Sequence, residues 1–389
     1  MENNEQNLKT LPLELQFDIL SRLPLKQLLR LKCLSRWWNV EISSSRFSKL
    51  YQQHRKCLDG GCIILVNHAV AFCFDFHSKI LTELPPPPNI DSAYIFGSSN
   101  GLLLFVEPDV ETPVCVLYNP VTGASALLPP LVINLPDHLG PNVAVSYGLH
   151  VGFGYDSQST EGEDYKILRL ISYRKQDEHH VVAYLYSTKM NSWKKIKPDV
   201  PNQRLFGSSP SNGLVYCNNA FHWISKNLTD RVGEIIISAL NVSSSSGRYY
   251  VLPEPDNEGV CFGSLVVLKE RLHLVNEKSF HNYDIWIMKE YGVQNSWTKL
   301  LHYTEDELQQ ICCKSVVSGY IRPWPYAYSA DEQELLVGIE IYHMIFVCYN
   351  LQTRVMRKVQ VTNPRLQTYL NTISSSVIPW MPSLAYPYS

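Results

Sequence analysis

No apolar run in this 389-residue chain is long enough to cross a bilayer. A spanning helix needs about 20 such residues, and the closest stretch, Cys62 to Phe74, is interrupted by Asn67 and His68. The opening residues, Met1 to Thr10, lack the apolar core and small-residue cleavage site of a secretory signal. An excess of one charge is missing too: 34 Lys+Arg stand against 36 Asp+Glu, a formal net of −2. That balance excludes partners held mainly by electrostatics, so no nucleic acid and no membrane are expected. Nor does the chain contain a Gly-rich phosphate loop, a His-Glu-x-x-His or a Gly-x-Ser-x-Gly. Cytoplasm or nucleus is the expected location, and the ten cysteines should there be reduced and act as small buried hydrophobes.

Hydrophobic residues make up 45% of the chain, the composition of a folded protein, and the length suggests roughly two to three domains. Charge is unevenly spread. Residues 1–56 hold ten Lys/Arg and five Asp/Glu, a net of +5, which leaves −7 for the remainder. A small basic module attached to a mildly acidic body suits docking on an acidic partner, although such charge also serves as a solvated helix face.

Two hydrophobic periods divide the chain. From Leu11 to Tyr51 the pattern is helical. Pro12 and Pro24 stand where first turns begin, because a first turn tolerates a missing N–H. Leu15 and Ile19 recur at i and i+4 with Leu20 and Leu23 beside them, and Leu25, Leu28 and Leu29 repeat the pattern after Pro24. Ser35 reads as the N-cap of a third helix carrying Trp38 and Ile42. About forty residues cannot bury this many leucines among themselves, so the surplus implies a partner surface.

From about residue 60 the pattern is β: short apolar runs such as Ile63–Val66, Leu102–Val106, Val114–Tyr118, Ile167–Ile171, Val181–Tyr186, Leu265–Leu268 and Met344–Tyr349. The clear helical exception is Thr304 to Cys312. One pattern recurs, a strand, a polar turn and a second strand ending in Leu or Leu-Pro. It runs from Phe72 to Pro85 and from Val116 to Pro129, with looser copies at Leu185–Trp193, Leu240–Pro253, Ile285–Trp297 and Cys348–Val359. Asn-Gly turns mark Asn100-Gly101 and Asn212-Gly213. Copies lie roughly 45–70 residues apart, looser than the ~40–50 of propeller blades, and a propeller or a large sandwich follows. The expected class is α+β multidomain: a small all-α module at 6–55, an all-β, propeller-like domain at 60–378, and a loose Pro-rich tail at 379–389.

The first module resembles the plant F-box. Leu11-Pro12-Leu13-Glu14, Ile19 to Lys26, Leu28-Leu29-Arg30 and Lys32 to Trp38 carry the resemblance, with Phe47 near its end; Glu41 and Ser45 depart from it where leucine and proline are usual. The second part resembles the F-box-associated (type 1, kelch-like) domain, through Leu117 to Gly123, Val151 to Asp156, Asp164 to Arg169, Tyr184 to Ser187, Asn191-Ser192-Trp193 and Phe221-His222-Trp223. The resemblance implies a substrate adaptor of a Skp1–cullin–F-box ubiquitin ligase: the F-box docks on a Skp1-like protein and through it a cullin, and the β domain binds an unknown target. It implies Skp1 contacts at Leu11, Pro12, Ile19, Leu20, Leu23, Pro24, Leu28 and Trp38, some of which must also form the module's core. It implies no catalytic residue, since such a subunit works by holding its target near a charged donor.

Other chemistry is thin. His54, Cys57, Cys62 and His68 are the one tempting metal set, but structural zinc sites prefer two close ligand pairs, and linker and core residues are the better reading; no cofactor is expected. Cys312-Cys313 read as buried thiols. Gly152-Phe153-Gly154 lacks a third glycine and reads as a turn beside a strand. Glu161, Glu163 and Asp164, near Asp156, read as a solvated loop rather than paired acid–base carboxylates. The stretch Gly319 to Tyr326 is a candidate target surface, against a packed proline-rich crossover. Two rivals remain: a Skp1-binding scaffold without ubiquitination, and a carbohydrate-binding or hydrolytic propeller behind an unrelated helical segment.

Overall fold

Pro12 takes φ −53 and ψ 144 just ahead of helix α1 (Leu13–Ser21), and its carbonyl accepts the N–H groups of Leu15 and Gln16. The structure, a computed structural model, describes residues 11–23, 25–58, 62–66, 71–76, 81–84, 94–107, 114–133, 145–156, 164–175, 178–196, 214–226, 235–242, 247–255, 262–279, 282–304, 306–307, 322–340, 344–360, 376–385 and 387. Helices α2 (Leu25–Leu34), α3 (Arg36–Ile42) and α4 (Ser45–Leu58) follow. Ser35 caps α3 by accepting the Trp38 N–H at 3.2 Å, and Ser44 accepts the Phe47 N–H at 3.2 Å. These side-chain acceptors satisfy donors that a helix start leaves orphaned.

The helices close on Phe17, Leu20, Leu28, Trp38, Ile42, Phe47 and Tyr51. Phe17 meets Phe47 edge-on at 5.2 Å, so α1 packs on α4. Two polar bonds bind the same pair of helices: Glu14 with Arg46 at 3.0 Å and Ser21 with His54 at 2.7 Å.

The β part forms six four-stranded antiparallel sheets among the described residues. Blade one holds β1 (Cys62–Val66), β2 (Ala71–Asp75), β3 (Leu81–Leu84) and the last strand, β24 (Ser376–Trp380). Blade two is β4 (Tyr94–Ser99), β5 (Leu102–Val106), β6 (Cys115–Tyr118) and β7 (Ser125–Leu127). Blade three is β8 (Val145–Asp156), β9 (Asp164–Lys175), β10 (Glu178–Ser187) and β11 (Ser192–Ile196). Blade four is β12 (Val215–Cys217), β13 (Ala220–Lys226), β14 (Ile235–Asn241) and β15 (Arg248–Leu252). Blade five is β16 (Phe262–Leu268), β17 (Arg271–Ser279), β18 (Asn282–Met288) and β19 (Trp297–Thr304). Blade six is β20 (Arg322–Tyr328), β21 (Glu334–Glu340), β22 (Met344–Asn350) and β23 (Met356–Lys358).

Inner strands β24, β4, β8, β12, β16 and β20 touch in that order and back to β24, which closes the ring as a propeller. Every seam between blades holds an apolar cluster, so the core is distributed around the ring rather than central. Every copy of the recurring sequence pattern is the outer hairpin of one blade: β2–β3, β6–β7, β10–β11, β14–β15, β18–β19 and β22–β23.

Three expectations are corrected. The segment from 379 is not a loose tail: β24 pairs along β1 from Cys62↔Trp380 to Val66↔Ser376, and Trp380, Ser383, Leu384 and Ala385 are buried. Joining the first blade to the end of the chain removes an exposed edge. Gly152-Phe153-Gly154 is not a turn but part of inner strand β8. A Cβ on Gly154 would sit 2.1 Å from the Tyr216 ring, and one on Gly152 2.6 Å from Leu214 and Phe221, so the next blade approaches where only hydrogen fits. Arg322 to Tyr326 is inner strand β20, with Pro323, Pro325 and Tyr326 buried. Proline is tolerated there because β20 is an edge of its own sheet, and the ladder slips between Pro325 and Ala327. Residues 319–321 lie outside the described set, as do Glu161, Glu163, Cys312-Cys313, Asn212-Gly213 and most of the expected helix after Thr304. The start of that helix is described: Thr304 N–H donates to Glu307 Oε2 at 2.9 Å and Glu307 N–H to Thr304 Oγ1 at 3.4 Å, a capping box.

Candidate docking surface and seams

Helix α1 has two apolar faces. Gln16, Phe17, Leu20 and Ser21 turn inward, whereas Leu11, Leu15 and Ile19, spaced one turn apart, are exposed at 37%, 52% and 50%. Helix α3 divides the same way: Trp38 and Ile42 are buried, and Trp37 and Val40 are exposed at 45% and 66%. Leu34, closing α2, is exposed at 71%. Large apolar side chains at one-turn spacing along Leu11 to Ile19, and again within the seven residues from Leu34 to Val40, are more than the scattered exposures of an ordinary surface.

The eight expected contact residues separate accordingly. Leu11, Pro12 and Ile19 lie on the surface. Leu20, Leu28 and Trp38 are in the module's own core and Leu23 packs partly against it, so these hold the fold before they hold a partner. Pro24 lies outside the described residues. Leu15, Leu34, Trp37 and Val40 are surface members outside those eight. The signal for them was present in part, since Leu15 sits four residues before Ile19 and Trp37 precedes the inward Trp38.

His54, one of the four tempting metal ligands, already has partners: its Nδ1 lies 2.7 Å from Ser21 Oγ and its Nε2 3.7 Å from Asp18 Oδ1. Its companions Cys57, Cys62 and His68 have no described side chains.

In the propeller the polar residues work at the seams. Lys166, His222 and His273 each take the third place in the second strand of blades three, four and five. Lys166 Nζ donates to Asp156 Oδ2 at 2.7 Å and to the Val242 carbonyl of the next blade at 3.4 Å. His222 Nε2 meets Tyr291 Oη at 2.7 Å, and His273 Nε2 meets Tyr328 Oη at 2.8 Å, again one blade on. Burial pushes both imidazoles down to about 4, so they are neutral at physiological pH. Asp156 is thus an ion-pair partner of Lys166, and Asp164 accepts from Ser187, Thr188 and the Lys189 N–H. Neither carboxylate is free for acid–base work.

Strand ends sort by face. Cys62 and Trp380 are paired, so the helical module joins the ring at the face carrying the short turns Asn100-Gly101, Asn119–Gly123 and Asn218-Asn219. At the opposite face lie the ends of the connections that run from blade to blade, where Tyr94 at the start of β4 and Val114 just before β6 are exposed.

Comparison with known proteins agrees with this arrangement. The profile described as F-box associated beta propeller domain matches residues 44–386, and that of the F-box domain matches residues 8–50. F-box protein CPR1 of Arabidopsis thaliana is 26% identical over 371 residues, covering 90% of this chain and 84% of that protein. F-box/kelch-repeat protein At3g23880 of the same plant is 26% identical over 318 residues, covering 75% of this chain and 79% of that one. Among solved structures, TolB from Acinetobacter baumannii aligns at a TM-score of 0.44 and 14% identity, covering 78% of this chain and 64% of that one. The helical module is N-terminal and the propeller follows it; the matching profiles do not carry the kelch-like label.

Proposed function

The chain belongs to the F-box-associated β-propeller family, and from that premise we propose that it is the substrate-recognition adaptor of a Skp1–cullin–F-box ubiquitin ligase. The observation that carries the reading is the exposed apolar surplus of the helical module: Leu11, Leu15 and Ile19 on one stretch, and Leu34, Trp37 and Val40 on another, stay exposed although the module's core is complete without them. Helices laid into an apolar groove are a common recognition mode, and burying each such side chain contributes about 1.5–3 kcal/mol. The net +5 of residues 1–56 suits an acidic partner.

The propeller would receive the target on the face away from the helices, where loops on a rigid scaffold do the binding. The subunit itself is non-catalytic in this reading. It works in the cytoplasm or nucleus and raises the effective concentration of a target lysine near a ubiquitin-charged enzyme.

The test is a pull-down of a plant Skp1-like protein by the intact chain and by a Leu15→Asp, Ile19→Asp variant, both shown to be folded by circular dichroism. Capture by the first and loss of capture, by a hundredfold or more, with the second is expected; about 3 kcal/mol is a factor of ~10². No capture by either folded protein would end the adaptor reading. Ubiquitin transfer to bound target in the reconstituted ligase then separates an adaptor from a scaffold.

A further inference from the structure

We propose that residues 383–385 are a staple that fixes the helical module to the propeller, with Leu384 as the positioning residue. The second half of this inference, that the staple sets how a captured target is presented, rests on the adaptor reading above.

The chain does not end when the ring closes. After β24 the Trp380 indole N–H donates to the Gly101 carbonyl at 3.1 Å, and the following residues cross the Asn100-Gly101 turn. Ser383 Oγ donates to the Asn100 carbonyl at 2.7 Å and accepts the Ala385 N–H at 3.1 Å. From the far side, the buried Asn119 carboxamide donates to the carbonyls of Ser383 at 3.1 Å and Ala385 at 2.7 Å. Gly101 has φ +80, and a Cβ there would overlap Ser383, so this turn is shaped around the staple.

Residues 383 and 385 therefore face blade two, where Ala385 joins the apolar cluster. Leu384, between them, faces the other way. It is buried in the helical core with Phe17, Leu20, Phe47 and Tyr51. A module tied only through its chain connection, between Leu58 and Cys62, would be free to swing, which is the default for domains in one chain. The staple adds a second, non-covalent attachment. Asn119 and Gly101 thereby acquire a use that turn chemistry alone did not give them.

Two variants of the full-length chain separate coupling from folding. Leu384→Ser removes the side chain from the helical core. Asn119→Ala removes the grip from the propeller side and touches no helix. Spin labels are introduced as unnatural amino acids at exposed Asn39 on α3 and exposed Gln352 in the β22–β23 turn, and their distance distribution is measured. The unaltered chain should give one narrow peak, and both variants should lose it while still capturing a Skp1-like protein. If Leu384→Ser also unfolds the module, seen as lost helicity and lost capture, Asn119→Ala decides alone. A narrow, unshifted peak in Asn119→Ala overturns the staple. A narrow peak without any Skp1 capture by the unaltered chain leaves the staple standing and overturns its role in presenting a target.

Discussion

At the residue scale, His222 and His273 make a pH prediction whose sign follows from burial. Each has a folded-state value near 4 against an ordinary 6.5, lowered chiefly because the charged imidazolium would be desolvated. His222 faces Tyr291, which in turn bonds Tyr250; around His273 stand Tyr328, Arg271 and Glu332. Below pH ~6.5 the unfolded chain takes up protons at these positions while the native chain does not, so their stabilisation is full above 6.5 and is lost as pH falls towards 4. The melting temperature should hold from pH 8 to 7 and then drop, and His222→Gln with His273→Gln should flatten that drop. An unaltered slope in the double variant would show that other groups control acid sensitivity. Arg169 gives a second prediction. It is buried, and among the described residues its Nε and one terminal nitrogen have no hydrogen-bond partner. An unpaired buried cation is costly, and hydrophobic replacement of buried charge is often neutral or stabilising. Arg169→Met should therefore leave stability unchanged or raise it by about 1–3 kcal/mol, read from urea denaturation; a clear loss would mean the guanidinium has an anionic partner.

At the scale of elements, two halves of the recurring sequence pattern prove to be halves of one bond. The Trp193 indole N–H, on the outer strand of blade three, donates at 2.9 Å to the carbonyl of Pro129, which follows the outer strand of blade two. Trp297 does the same to Pro253 at 2.9 Å, from blade five to blade four. Leu-Pro at the end of one outer hairpin and Asn-Ser-Trp in the next are thus acceptor and donor across a seam. Trp193→Phe should cost about 1 kcal/mol by leaving the Pro129 carbonyl without that donor. Gly154→Ala should cost more, about 1–3 kcal/mol, because a methyl there meets the Tyr216 ring. Thermal melts of the two variants check the order; equal effects would mean the seam relaxes around the methyl. This explains what the sequence disclosed and what it withheld. Period-2 runs and turn residues are local, so the strands and outer hairpins were legible from Phe72 to Val359. Which strand closes the ring depends on pairing Cys62 with Trp380, residues too far apart in sequence for any local pattern, and the proline-rich composition there pointed to a loose tail. Gly152 and Gly154 looked like turn glycines because a close approach by another blade leaves no local trace. The apolar surplus is half legible: helical period predicts it on α1, but a two-faced helix does not announce which leucine turns inward, so sequence alone does not separate Leu20, Leu28 and Trp38 from Ile19.

For the whole molecule, residues 376–385 carry two separate duties, and truncation divides them. Ser376–Trp380 completes blade one as its inner strand, whereas residues 381–385 reach the helical module through Leu384. Stopping the chain after Trp380 keeps the β1 pairing and the Trp380 contact with Gly101 while it removes Ser383 and Leu384. The ring should stay closed, and its cooperative unfolding should fall only modestly. Stopping after Ser375 removes β24 as well. The β1 ladder is then an open edge, Trp380 leaves the cluster it shares with Leu103, Phe105 and Tyr118, and the seams on both sides of blade one lose their inner strand. Loss of one buried Trp alone typically costs about 3–5 kcal/mol, against a whole-domain stability of roughly 5–15 kcal/mol. The shorter chain should therefore be unfolded or aggregated at 25 °C, since open strand edges pair with other chains. Circular dichroism melts and size-exclusion chromatography of the two truncations compare them directly. Closure by β24 requires a folded monomer from the chain ending at Trp380 and none from the chain ending at Ser375; two equally stable monomers would mean that the propeller is held by its seams without the closing strand.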